Sequence, residues 1–115
     1  MTKRSLYQDT LEADCDSAAT FYLRAKKPVP QGQVLFVTTG SVEDEDNAPT
    51  TISFGKLVRD KFIPLEEWTG LSAGVQKNVD KTHVVLAGEV PAFRFEGAVV
   101  GDDCMGFLEG YFEEV

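Results

Sequence analysis

From residue 18 onward, apolar and polar side chains follow each other with a period of two. Phe21, Leu23 and Ala25 alternate with Tyr22, Arg24 and Lys26, the spacing of a half-buried β-strand. Pro28 and Pro30 end that run, and Gln31-Gly32 predicts a turn. Residues 33–39 (QVLFVTT) are apolar on both faces and rich in β-formers, which predicts a central strand. Gly40 and the acidic run Glu43 to Asn47 predict a loop, closed by Pro49. Residues 50–58 predict a third strand with a bulge at Gly55. Residues 62–68 predict a fourth, which Pro64 demotes to an edge or a bent strand.

Turn residues at 69–70 and 72–74 precede a short strand over 75–79 and a strong one over 82–87. The run 92–100 alternates through Phe93 and Phe95. Residues 104–112 predict the last strand, after the turn Gly101-Asp102-Asp103. Seven to eight short strands at spacings of about 8–12 residues, with no helical periodicity after residue 18, predict an all-β antiparallel sandwich or jelly-roll-like fold. The sandwich domain is assigned to 18–115. Residues 1–17 are polar and predict an N-terminal arm packed on the domain or on a neighbour, with a short helix over 5–13 as the alternative.

Composition agrees with one domain. The 115 residues are 43% hydrophobic and include 8 Phe, 3 Tyr and 1 Trp, enough for a single core. Phe21, Phe36, Phe54, Phe93 and Phe95 are expected to supply it. A formal net charge of −8, with 11 basic residues thinly spread, argues against nucleic acid and anionic membrane as partners. The tightest basic group, Arg24-Ala25-Lys26-Lys27, reads as a solvated strand end. Lys3 and Arg4 are followed by no apolar stretch, so synthesis in the cytoplasm without a signal peptide is the expectation. Cys15 and Cys104 are then expected as free thiols, Cys104 buried.

Candidate chemistry is sparse. His83 is the only histidine and lies in an apolar strand, and neither cysteine has the basic neighbours that activate a nucleophile. One His and two distant Cys do not furnish a zinc site. Glu43, Asp44, Glu45, Asp46 and Asn47 offer hard oxygens for calcium, as do Asp102 and Asp103, with Asp44, Asp46 and Asn47 the set singled out; the spacing is not that of an EF-hand, and a solvated hairpin loop is the reading preferred. Glu66 and Glu67 invite comparison with a glycosidase pair, yet neighbours on a strand point to opposite faces. Gly101, Gly106 and Gly110 precede no helix and form no phosphate cradle; close backbone approach within a sheet explains them better. No catalytic residue and no cofactor is assigned. The binding candidates are the aromatics outside the expected core: Trp68, Tyr22, Tyr111 and Tyr7.

Two stretches carry a further pattern: FIPLEEWTGLSAG over 62–74, then VVLAGEVPAFRF over 84–95 leading to a Gly-rich closing strand. Over residues 50–112 the chain resembles the small β-sandwich accessory proteins of tailed-phage virions, the decoration or cement proteins and fibre-associated modules. That resemblance implies a non-enzymatic virion protein, made in the host cytoplasm. Such a protein binds coat or other virion proteins, often as a homotrimer, with an N-terminal arm reaching across. It transfers no functional residue. Two rival classes stand beside it: a carbohydrate-binding or lectin-like sandwich using Trp68 and the 43–47 loop, and a small orphan enzyme using His83 or acidic residues in a cleft.

Overall fold

The computed structural model describes residues 3–17 and 19–115; the parts of the arm and domain expectations that fall on residues 1, 2 and 18 lie outside them. In chain order the strands are β1 (Arg4–Asp14), β2 (Thr20–Arg24), β3 (Gln33–Asp44), β4 (Thr51–Val58), β5 (Lys61–Trp68), β6 (Lys77–Asn78), β7 (His83–Val85), β8 (Val90–Glu96) and β9 (Asp103–Glu114). There is no helix among the described residues. One sheet runs β1-β9-β3, with β6 and β7 both pairing the free side of β3; the other runs β2-β8-β4-β5. Every pairing is antiparallel. The expected all-β sandwich is the fold found.

The strands number nine rather than seven to eight, and the ninth is β1. Residues 4–14, expected as part of an arm or as a helix over 5–13, pair in unbroken register with β9, from Arg4↔Glu113 to Asp14↔Asp103. Helix is thereby corrected to strand. The physical reason is alternation: Tyr7, Leu11 and Ala13 face the core between polar residues. The expected loop start at Gly40 is also corrected. β3 continues to Asp44 through a bulge between Val37 and Thr39.

β7 is shorter than the expected 82–87, because Leu86 to Glu89 form a turn in which the Glu89 N–H donates to the Leu86 carbonyl (3.0 Å). β8 stops at Glu96 rather than running to 100, since Gly97 takes a positive φ of 76°. The bulge expected at Gly55 is present, as a register shift between Phe54 and Gly55. A Cβ at Gly55 would lie 2.1 Å from the Ile63 carbonyl oxygen, so only glycine fits there. β5, with Pro64, is an edge strand as expected.

The core lies between the sheets. Phe54, Phe93, Phe95, Leu35 and Leu108 are fully buried, and the Phe54 and Phe93 rings meet at 5.4 Å. A smaller cluster of Ala25, Leu57, Val90 and Ala92 is capped by Phe62. Phe36 is the exception to the expected core: it alternates with buried Leu35 and Val37, points to the outer face and is only part-buried.

Candidate functional site

The outer face of the β1-β9-β3-β7 sheet carries an apolar row set by strand register. Leu6 pairs with Tyr111, Tyr111 with Phe36, and Phe36 with Val84, so the four side chains cross four strands side by side. The Phe36 and Tyr111 rings stack at 5.0 Å, and the Arg4 guanidinium lies 4.7 Å above Tyr111. Leu6 is 71% exposed and Val84 42% exposed. Polar pairs border the row: Arg4 donates to Glu113 at 3.2 Å and Gln8 to Glu109 at 2.7 Å. An apolar centre inside a polar rim is the anatomy of a protein–protein contact surface.

The other aromatic candidates do not join this row. Tyr7 packs against the core with its ring edge-on to Phe112, and both line a cleft of about 400 Å³ whose rim includes Lys26 and Lys27. Tyr22 is 40% exposed on the opposite sheet, beside Phe62 at 5.6 Å. Trp68 packs against the core rather than standing clear as a platform for a sugar. Of the four, register brings only Tyr111 into the apolar row. From the residues alone Phe36 is expected in the core, and Leu6 and Val84 are not binding candidates, because only register places the three together.

At one end of the sandwich the structure assembles a second site. Asp44 ends β3, Asp46 follows in the loop, and Asp102 precedes β9; their carboxylate oxygens lie within 4.8 Å of one another. Asn47, grouped with Asp44 and Asp46 from the sequence, donates its side-chain amide to Asp102 Oδ1 at 2.6 Å. Burial, then contact with Asp102, pushes the Asp44 carboxyl up to about 6 against the pull of the Asn47 and Asp46 N–H groups. Burial also opposes the charged form of Asp102, but contacts with Asp44, Asn47 and the Val99 N–H hold it below the ordinary range. More carboxylates crowd the same end: Glu12 is raised chiefly by Asp103, and Glu43 by burial and then Glu45.

His83 Nε2 lies 2.5 Å from Glu66 Oε2, while Glu67 on the other face of β5 is exposed. Both cysteines are buried and unpaired. Burial first, then Asp44, Cys15 and the nearby aspartates, push the Cys104 thiol up to about 12, the opposite of what nucleophilic attack requires. A histidine held by a carboxylate, with no activated nucleophile among the described residues, is not a hydrolytic triad.

No protein-family model matches the sequence, and no curated protein sequence does so. The fold itself is shared. A chain of the Bacillus endospore appendages, described as a novel family of disulfide-linked pili, superposes with a TM-score of 0.60 at 9% identity, covering 100% of this chain and 91% of that one. A chain from the acidic stable capsid structure of Helicobacter pylori bacteriophage KHP30 superposes with a TM-score of 0.59 at 16% identity, covering 98% and 93%. The likeness to small virion-associated β-sandwiches seen in the sequence therefore holds at the level of fold.

Proposed function

We propose that this chain is a non-enzymatic structural protein of a virion, of the capsid decoration or cement type, acting through protein–protein contacts in an assembly. The observation that carries the reading is the exposed apolar row Leu6–Tyr111–Phe36–Val84, on a fold shared over nearly its whole length with a phage capsid chain. Surfaces of this kind on soluble proteins mark contact sites. Coat subunits or further copies of this chain, with a trimer favoured, are the partners. β1 (Arg4–Asp14) acts here as an edge, leaving one row of backbone groups unpaired, which a neighbouring subunit can extend. Localisation in the virion completes the reading.

Light scattering on the eluting full chain, over a range of loading concentrations, tests it. The wild type is expected to run as a trimer or larger. A variant carrying Leu6→Glu and Val84→Glu, both at exposed positions, should keep its melting temperature and run as a monomer. A wild type that stays monomeric at every concentration, with the variant indistinguishable from it, overturns self-assembly through this face.

A further inference from the structure

We propose that Asp44, Asp46 and Asp102 form a binding site for one divalent cation of the calcium type, where β3 leaves its sheet and β9 enters it. The proposal goes beyond the assembly reading and does not depend on it. Carboxylate oxygens within 4.8 Å of each other can share one ion, since calcium–oxygen bonds run to about 2.3–2.6 Å. Asp44 is 1% exposed and Asp102 3% exposed, so this is not a solvated acidic surface. Burying carboxylates without a compensating charge is costly. Among the described residues, no Lys or Arg side chain ion-pairs with any of the three.

The observation that points to a ligand is one oxygen. Asp44 Oδ1 accepts from the Asp46 and Asn47 N–H groups, at 3.0 and 3.1 Å. Asp44 Oδ2 is buried and has no partner, although its carboxyl lies against that of Asp102. The remaining groups are already placed. Asp46 Oδ2 accepts from the Asp103 N–H at 2.8 Å, and Asp102 Oδ2 from the Val99 N–H at 3.0 Å. The Gly74 N–H fixes the Asp44 carbonyl at 2.7 Å, and the Glu45 N–H donates to the Asp103 carbonyl at 2.9 Å. Asp44 Oδ1 is filled by its two N–H donors, but Asp44 Oδ2 has both lone pairs free, and Asp46 Oδ2 and Asp102 Oδ2 each keep one for a cation. An all-oxygen set of irregular geometry suits calcium better than magnesium, which demands a regular octahedron, or zinc, which prefers nitrogen and sulfur.

A proton shared between Asp44 and Asp102 would satisfy the same oxygen, so the test must separate proton from cation. The full chain is stripped with EDTA, dialysed near neutral pH, then melted in EDTA, in Ca²⁺ and in Mg²⁺, with calorimetric titration of Ca²⁺ alongside. Saturating Ca²⁺ is expected to bind one ion per chain and raise the melting temperature by on the order of 10 °C, with a smaller rise in Mg²⁺. Asp46→Asn removes the exposed ligand, leaves the buried pair intact and should lose most of the shift. Asp60→Asn, in the turn at the far end of β4, removes the same charge and should retain it. Identical melting in EDTA and Ca²⁺ without binding heat means a shared proton only, and overturns the site. A shift of equal size in wild type and Asp46→Asn means general screening of the acidic chain, and overturns it as well.

Discussion

Glu66, on an edge strand of one sheet, and His83, on a short strand of the other, meet at 2.5 Å and clasp the two sheets along one side. The Glu66 carboxylate also accepts from the Asp80 and Lys81 N–H groups, at 2.8 and 3.1 Å. Burial alone would raise the Glu66 carboxyl, but the Asp80 N–H, the His83 ring and the Lys81 N–H together hold it below the ordinary glutamate range. A carboxyl with a lowered folded-state pKa stabilises the fold above its unfolded value, and that contribution fades as pH falls through the folded one. Glu66→Gln is therefore expected to cost about 1–3 kcal/mol near neutral pH. The deficit should shrink as pH drops below about 4.3, the unperturbed glutamate value. Melting both proteins across that window checks it, and a deficit independent of pH would show that charge on Glu66 is irrelevant.

Lys56 and Glu89 form the other enclosed ion pair, with Nζ and Oε1 2.8 Å apart and side chains only 16% and 14% exposed. Glu89 Oε1 also accepts from the Leu86 N–H at 2.8 Å, which holds the turn between β7 and β8. Removing the lysine leaves a carboxylate largely shut away from water without its counter-charge. Lys56→Met should cost more than Glu89→Gln, which keeps a hydrogen-bonding oxygen for Leu86. A double-mutant cycle by urea denaturation should return a coupling energy of about 1–3 kcal/mol. Coupling near zero would place these residues with surface pairs that contribute little.

How far the residues announce this structure depends on the range of the interaction. Period-two alternation in Phe21–Lys26 and Ala92–Glu96, and the punctuation by Gly55 and Pro64, are local, so the sandwich and its edge strand can be read from the chain. β1 is less legible because its alternation is weak: Tyr7, Leu11 and Ala13 are its inward side, while exposed Leu6 blurs the pattern. The apolar row cannot be read at all without register. Phe36 looks like core in a strand apolar on both faces, and only its pairing with Tyr111 and Val84 shows it belongs outside. In the same way Asp44 and Asp46 are visible as a local run, whereas Asp102 joins them from 58 residues away through β3–β9 pairing.

The tight turn between β4 and β5 offers a stabilising substitution. Val58 pairs with Lys61, so Arg59 and Asp60 alone close the hairpin, with φ values of 53° and 64°. Both therefore sit in the left-handed region, which hairpins of this type favour and which Asn and Gly enter at low cost. Replacing them with Arg59→Asn and Asp60→Gly should stabilise the protein by about 1 kcal/mol, read as a higher urea midpoint at constant slope. A lower midpoint would mean that the Arg59 or Asp60 side chain contributes more than its backbone strain costs.

Gly106 tests how closely the sheets are packed. It lies on the inner face of β9, and a Cβ built there would sit 2.8 Å from the Phe93 ring and 3.3 Å from Leu23. Phe93 is fully buried and in ring contact with Phe54, so it cannot swing away without disturbing the centre of the core. Interiors packed this densely take an added methyl only by shifting side chains or backbone. Gly106→Ala should cost about 1–3 kcal/mol, and Gly106→Val more, although β propensity alone would favour both over glycine. The decisive comparison is a rescue: Phe93→Leu in the Gly106→Ala background should cost less than Phe93→Leu in the wild type, because the smaller side chain relieves the overlap. Equal costs in the two backgrounds would place the strain of Gly106→Ala in the backbone of β9 rather than against Phe93.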